Sequence, residues 1–246
     1  MSSGPLSGRR VVTTRDERGR LDSLLAMAGA DVVHVPLIVV EDAPDGGRAL
    51  ASAVADLGSF AWLVVTSRHG ARRVGAVAAR YPSVNLAVVG TGTARELAEL
   101  TGRHPAVVPD RQTAAALVDA LPKASDGGRR VLIVQADRAD EAVASGLRAR
   151  GFEVTTVDGY STRLRTPSGA ERLAALGADA VTFASGSAAI SWVDAFGAVA
   201  PPVVVAIGPT TRAAAVAAGL VVTHVASEHS IEGLVDEVTS VLGPRP

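Results

Sequence analysis

The stretch VVVAIGPTTRA, Val203 to Ala213, reads as a strand, a glycine turn and the first turn of a helix. LAVVGTGTAR, Leu86 to Arg95, says nearly the same thing earlier in the chain. Gly90 and Gly208 lie 118 residues apart. Leu63 to Thr66, running into Ser67, Arg68, His69 and Gly70, is echoed at the same distance by Val181 to Ala184 running into Ser185, Gly186 and Ser187. Leu117 and Leu234 carry the register into a third unit. A repeat of this length predicts two similar lobes from one chain, and a cleft between lobes is where ligands usually sit.

Outward from these units, short Val-rich runs alternate with Ala- and Leu-rich helical stretches. Val11 to Thr14 reads as a strand. Leu21, Leu24, Leu25 and Ala28 then fall at i, i+3, i+4 and i+7, a helix with one apolar face, ended by Gly29. Asp31 to Val40 begins another strand. Val131 to Val134, a helix carrying Val143 and Leu147, Gly151 and a strand from Glu153 to Val157 repeat the sentence. Strand and helix alternating through short turns predict parallel sheets covered by helices, so the fold class is α/β with two doubly wound lobes. Polar breaks, Glu41 to Gly47 with Pro44 and Ser161 to Gly169 with Pro167, separate the opening unit of each half from the rest. Two arrangements fit: sequential lobes split near residue 125, or swapped lobes in which each opening unit completes the other half's sheet, the chain crossing twice through a two-stranded hinge.

Composition sets limits. With 246 residues two domains are a reasonable expectation, and 48% hydrophobic residues fill two cores. Aromatics are only 3%, so the cores rest on Ala, Val and Leu, and a base-stacking surface is not expected. A formal net charge of −1 argues against nucleic acid as a partner. The chain has no cysteine, which removes disulfides, thiolate metal sites and cysteine nucleophiles and suits a reducing cytoplasm. Met1 to Arg10 has no apolar signal core, and no apolar run approaches the roughly 20 residues of a membrane span. The expectation is a cytoplasmic protein away from the membrane.

Ligands of open α/β sheets bind at the carboxyl ends of the strands. There the residues share one character: Thr66 and Ser67; Gly90, Thr91 and Thr93; Gln112 and Thr113; Ser185, Gly186 and Ser187; Gly208, Thr210 and Thr211; His229 and Ser230. Small hydroxylated residues at helix starts offer backbone N–H and side-chain O–H donors, an environment for anions. Each alone is an ordinary N-cap; six such turns, three in each half, point to a ligand. Arg15 follows the first strand, and Arg68, Arg72, Arg95, Arg111 and Arg212 lie near the other turns, a local positive potential for a ligand with several carboxylates.

Other motifs fall away. Gly90-Thr91-Gly92 opens like a dinucleotide fingerprint, but Arg95 stands where the third glycine belongs. There is no phosphate-binding loop ending in Gly-Lys-Ser or Gly-Lys-Thr and no Gly-x-Ser-x-Gly elbow. His224 and His229 lack the carboxylate pattern of a zinc site. Asp137, Asp140 and Glu141 read as a solvated helix start.

Taken together, Thr13-Thr14-Arg15, Val65-Thr66-Ser67, Val89-Gly90 leading to Thr93-Ala94, Gly159-Tyr160-Ser161-Thr162, Phe183 to Ser187, Ala206 to Thr211, Gly219-Leu220 and Ile231 to Val235 resemble the uroporphyrinogen-III synthase family over almost the whole chain. The departures are Gly186, where the family often has proline, and Gln135, where it commonly has arginine. The resemblance implies flavodoxin-like lobes in the swapped arrangement, residues 1–40 with 164–246 and residues 41–163. It implies a lyase that takes the linear tetrapyrrole octacarboxylate hydroxymethylbilane, removes water, and closes uroporphyrinogen III with its last ring inverted through a spiro intermediate. It implies no metal and no cofactor, and a monomer.

On that resemblance Tyr160 is the catalytic proton donor, a phenol that ordinarily keeps its proton up to about pH 10. Arg15, Thr66, Ser67, Gly90, Thr91, Thr93, Thr113, Ser185, Gly186, Ser187, Gly208, Thr210, Thr211 and Ser230 are its substrate-binding residues. Each helix terminus contributes only about 0.3–1 kcal/mol when exposed, so many must act together. The rival reading is a non-catalytic two-lobed binding or regulatory protein for a small anion.

Overall fold

The structure, a computed structural model, describes residues 4–124 and 129–244; residue 125, the split point of the sequential arrangement, lies outside them. The chain opens with β1 (Arg10–Thr13), α1 (Arg20–Met27), β2 (Asp31–His34) and β3 (Ile38–Glu41). It continues with α2 (Arg48–Ala55), β4 (Trp62–Val65), α3 (Arg68–Ala78), β5 (Asn85–Val88), α4 (Thr91–Thr101) and α5 (Ala114–Ala120). The second half runs β6 (Arg130–Ala136), α6 (Ala142–Ala149), β7 (Glu153–Leu164), α7 (Gly169–Leu176), β8 (Ala180–Phe183), α8 (Gly186–Phe196), β9 (Val203–Ala206), α9 (Pro209–Ala217), β10 (His224–Val225) and α10 (Ile231–Leu242).

The chain forms two compact units, one of Met1–Val39 with Arg163–Pro246 and one of Val40–Thr162. One sheet has the order β10-β9-β8-β1-β2 and the other β3-β7-β6-β4-β5. In the first sheet every strand pairs in parallel, with Val11 opposite Val32 and Ala180, and Phe183 opposite Ala206. In the second, β5, β4, β6 and β7 are parallel, with Val64 opposite Ala87 and Ile133. Val107 adds a single parallel bridge to Ala87 where a further strand would lie. Counted from the strand that opens each βαβ unit, both sheets show the doubly wound order with one reversal of direction, the α/β class expected from the alternation.

Parallel strands covered on both faces are nearly continuous apolar runs, and Trp62 to Val65 and Ala180 to Phe183 are buried at every position, Thr182 included. Val12, Val181, Phe183 and Val204 pack one face of the first sheet against Trp192, Phe196 and Ala215. Val11, Ala180 and Val205 pack the other against Leu21, Leu25, Leu234 and Val238. In the second unit Leu63, Val65, Leu86 and Leu132 meet Val74 and Leu97, while Val64, Val131 and Ile133 meet Leu117, Val143 and Leu147. Gly29 ends α1 at φ +95°, where only glycine is unstrained.

Two strand boundaries differ from the expectation. Asp31 to Val40 is two strands, because Pro36 has no N–H to give a ladder. Conversely β7 runs through Ser161 to Leu164, where the polar run predicts a break: β3 lies beside it in the sheet, and pairing outweighs polarity.

At the end of β7 the backbone N–H of Ser168 donates to Glu171 (2.8 Å), and the Glu171 N–H returns a bond to Ser168 Oγ (3.3 Å), a capping box that starts α7. Arg165 donates to both Glu171 oxygens (2.8 and 3.0 Å) and to the Pro36 carbonyl (3.2 Å). The Ser168 N–H, then the Arg165 guanidinium, hold the Glu171 carboxyl down at about 2 from 4.5. A lowered folded value means that the ionised form stabilises the fold above pH 4.5 and that this contribution fades as the pH falls towards 2. Glu171→Gln is therefore expected to lose about 1–2 kcal/mol at pH 7, screening included, with the difference from the parent vanishing near pH 2. Chemical denaturation at both pH values measures it; an equal loss at both would remove the ionic account.

Candidate functional site

Each of the six turns named above is a helix N-cap: Ser67 of α3, Gly90 of α4, Thr113 of α5, Ser185 of α8, Gly208 of α9 and Ser230 of α10. All six have extended backbone, which turns the first free N–H groups of the helix towards the carboxyl edge of the sheet. Ser67 Oγ accepts from Gly70, Thr113 from Ala116, Ser185 from Ala188 and Ser230 from Gly233, at 2.9 to 3.2 Å. Ser185 Oγ also bonds Ser187 Oγ (3.1 Å). The two glycine caps have no side chain to fill their N-termini.

Other residues lie over those two glycines. The Thr91 N–H donates to Gln112 Oε1 (3.3 Å), and a Cβ on Gly90 would come within 2.6 Å of that oxygen. In the first unit the His229 ring lies against Gly208, 3.2 Å from where a Cβ would sit. Gln112 and His229 each precede the cap of the last helix, so the repeat extends to this covering. Thr91, Thr210 and Ser187 are exposed, Thr66 is half-buried, and Gly186 opens α8 against Ala214, whose Cβ leaves 2.7 Å for any side chain there. Thr93 and Thr211 each stand at the third helical position of their own unit's helix and are buried.

The order of the sheets selects one crevice in each unit. Direction reverses between β1 and β8 in the first and between β6 and β4 in the second, and ligands of open α/β sheets bind at that point. Arg15 follows β1 and Ser185 to Ser187 follow β8; Thr66 and Ser67 follow β4. The loop bearing Arg15 is held at both ends. Asp22 Oδ1 accepts from Thr13 Oγ1 (2.7 Å) and Oδ2 from the Gly19 N–H (2.9 Å), while His34 Nε2 donates to the Arg15 carbonyl (2.8 Å). Of the other arginines, Arg72 is paired with Glu96 (2.8 Å).

Tyr160 is placed by an irregularity of β7. Gln135 faces Asp158 but Ala136 faces Tyr160, so Gly159 is skipped, and a Cβ there would meet Val134 Cγ1 at 2.7 Å. Such a slip re-aims the following side chain. Tyr160 is only 6% exposed; its hydroxyl donates to Ser67 Oγ (2.9 Å), and its ring lies 5.3 Å from that of His69. The Tyr160 carbonyl accepts from the Asp137 N–H (3.0 Å), and Asp137 Oδ1 accepts from the Thr162 N–H (3.3 Å). Asp137 is thus a strand clasp and not part of a solvated helix start; Asp140, which accepts from the Ala142 N–H (2.7 Å), and the N-cap Glu141 do lie at the start of α6. Burial, then the charges of Asp137 and Asp45, push the Asp158 carboxyl up.

Sequence reading passed over Asp22, His34 and His69, and took Gln112 and His229 only as turn residues. For Asp22 a signal exists, since an acidic residue three after a turn glycine is the second half of a capping pattern. For the histidines nothing local marks the contact.

Residues 19–236 match the family described as uroporphyrinogen-III synthase HemD. A chloroplastic uroporphyrinogen-III synthase of Oryza sativa subsp. japonica is 31% identical over 249 aligned positions, covering 94% of this chain and 80% of the rice protein. Among solved structures, uroporphyrinogen-III synthetase from Helicobacter pylori aligns over 95% of this chain and 99% of its own, with a TM-score of 0.66 and 15% identity. A mutant uroporphyrinogen III synthase from Thermus thermophilus gives 0.60 at 17% identity over 95% and 98%. At these identities the two structures establish the fold alone.

Proposed function

From the fact that the chain belongs to the uroporphyrinogen-III synthase family, we infer that it is the hydro-lyase that forms uroporphyrinogen III in tetrapyrrole biosynthesis. Its substrate is a small molecule. The single observation that supports this from the molecule itself is the set of capped helix starts at the carboxyl ends of both sheets, which suits a ligand bearing many carboxylates and no cofactor chemistry of its own. The binding-protein alternative finds no support in the family match.

The substrate in this reading is hydroxymethylbilane. Arg15, Ser185, Ser187, the Gly208 N-terminus with Thr210, and Ser230 take carboxylates in the first unit, and Thr66, Ser67, the Gly90 N-terminus with Thr91, and Thr113 do so in the second. Gly186 keeps backbone close to the ligand; Thr93 and Thr211 act from within by fixing their helices. Departure of the hydroxyl needs a proton, assigned to Tyr160, and leaves an azafulvene cation. Attack by the substituted carbon of the last ring gives the spiro species, whose opening and reclosure invert that ring. Orienting that carbon ahead of the free end is the larger task, since positioning alone can be worth about 7–11 kcal/mol. We place the enzyme in the cytoplasm as a monomer; no helix among the described residues is long and apolar enough to cross a membrane.

The test is to give the purified protein freshly made hydroxymethylbilane, oxidise the product and separate the isomers. Type III is expected. Type I alone, the product of spontaneous closure, would overturn the reading.

A further inference from the structure

We propose that Ser67, rather than taking a carboxylate as above, is the group that meets the leaving hydroxyl in place of Tyr160, and that Tyr160 is a positioning residue that resupplies the Ser67 proton from behind. The proposal rests on the synthase reading above and divides its acid step between two side chains.

A serine hydroxyl has two lone pairs and one proton. At Ser67 the Gly70 N–H takes one lone pair (3.0 Å) and the Tyr160 O–H the other (2.9 Å). Both accepting positions are filled, so what Ser67 has left to offer is its own O–H, as a donor. Its backbone is fixed by its place as the α3 cap, and it stands directly after β4, beside β6, where the sheet order reverses. Ser67 is half-buried, whereas Tyr160 behind it is buried, its ring against His69 and its carbonyl held by Asp137. For Tyr160 to reach a ligand directly its hydroxyl would have to abandon Ser67; through Ser67 neither side chain has to move.

The step balances. As the carbon–oxygen bond breaks, its electron pair leaves with the oxygen, which takes the Ser67 proton and departs as water. Ser67 takes the Tyr160 proton in the same motion, so the phenolate is the only new anion and the azafulvene cation the only new cation. When the closing carbon later sheds its proton, the relay runs backwards and both hydroxyls are restored.

The experiment compares Tyr160→Phe, Ser67→Ala, Ser67→Asn, Ser67→Thr and the Tyr160→Phe/Ser67→Ala double variant in the isomer assay, with melting curves for each. Asparagine caps helices about as well as serine but has no hydroxyl. Expected are losses in kcat of about 10²-fold for Tyr160→Phe and for Ser67→Ala, KM changes within about threefold, and a double variant no slower than the slower single, as for residues that act as one unit. Ser67→Asn should melt like the parent and fail like alanine, and Ser67→Thr should keep most activity. Losses that multiply in the double variant would overturn the relay, as would a Ser67→Ala defect confined to KM while Tyr160→Phe lowers kcat; the Tyr160 assignment would then stand alone. Unaltered kcat in every variant would sink the acid assignment itself, and only type I product from the parent would sink the synthase reading.

Discussion

Trp192→Ala is expected to remove about 4 kcal/mol of stability from the unit that contains it, the middle of the range for aromatic-to-alanine changes in cores. Trp192 is fully buried, stacks on Phe196 with centroids 4.0 Å apart and planes at 12°, and meets Phe183 edge-on at 5.8 Å. Its Nε1 donates to the Val199 carbonyl (2.9 Å) across the turn that leads to β9. The side chains around it include Ala175, Ala189 and Ala215, too short to lean into the space that its removal would leave. At about 2–4 °C per kcal/mol for a chain of this size the melting temperature should fall by about 10 °C. Trp192→Phe keeps much of the volume, loses the bond to Val199 and part of the ring packing, and should cost less than half as much. A fall under about 3 °C for the alanine variant would show that the site repacks.

The strands of the core around Trp192 are largely legible in the sequence, because their pattern is local; the cluster of Trp192, Phe183 and Phe196 is not, since composition points to cores of Ala, Val and Leu. Runs such as Val203 to Ala206 and Trp62 to Val65 are apolar at every position, as suits parallel strands covered on both faces. The six helix starts were legible for the same reason: a hydroxyl or glycine directly after such a run is a cap, whatever the rest of the chain does. What the pattern could not disclose depends on residues distant in sequence. Ser161 to Leu164 reads as a break until β3 lies beside it. Ser67 and Tyr160 can each be singled out, yet their hydrogen bond spans 93 positions and depends on the slip at Gly159, which no periodicity announces. The covering of Gly90 by Gln112 and of Gly208 by His229 is likewise a matter of how successive turns stack. Local chemistry named the turns; tertiary placement decided which of their hydroxyls face outward and which, as at Thr93 and Thr211, turn into the core.

Asp22→Ala should weaken both the fold and substrate binding. Asp22 is buried, and its two oxygens serve two donors: the Thr13 hydroxyl, itself fully buried, and the half-buried Gly19 N–H at the start of α1. Truncation strands both, at about 1–3 kcal/mol each when the donor stays dry. Relaxation at the Gly19 end, which borders an exposed loop, lowers the combined expectation to about 3 kcal/mol. Thr13 ends β1 and Gly19 begins α1, so these two bonds hold the ends of the loop that carries Arg15; the bond from His34 to the Arg15 carbonyl cannot fix those ends by itself. If Arg15 takes a substrate carboxylate, as proposed above, loosening its loop adds an ordering cost to binding while leaving Ser67 and Tyr160 untouched. KM for hydroxymethylbilane should therefore rise about tenfold, equivalent to about 1.4 kcal/mol, with kcat changed much less. Asp22→Asn keeps one acceptor and offers a mismatched donor in place of the other, so it should fall between parent and alanine in both measurements. Denaturant titration and steady-state kinetics on the same preparations separate the two effects. Lost stability with an unchanged KM would confine Asp22 to the fold, and would take from Arg15 the role in binding that its position at the sheet reversal suggests.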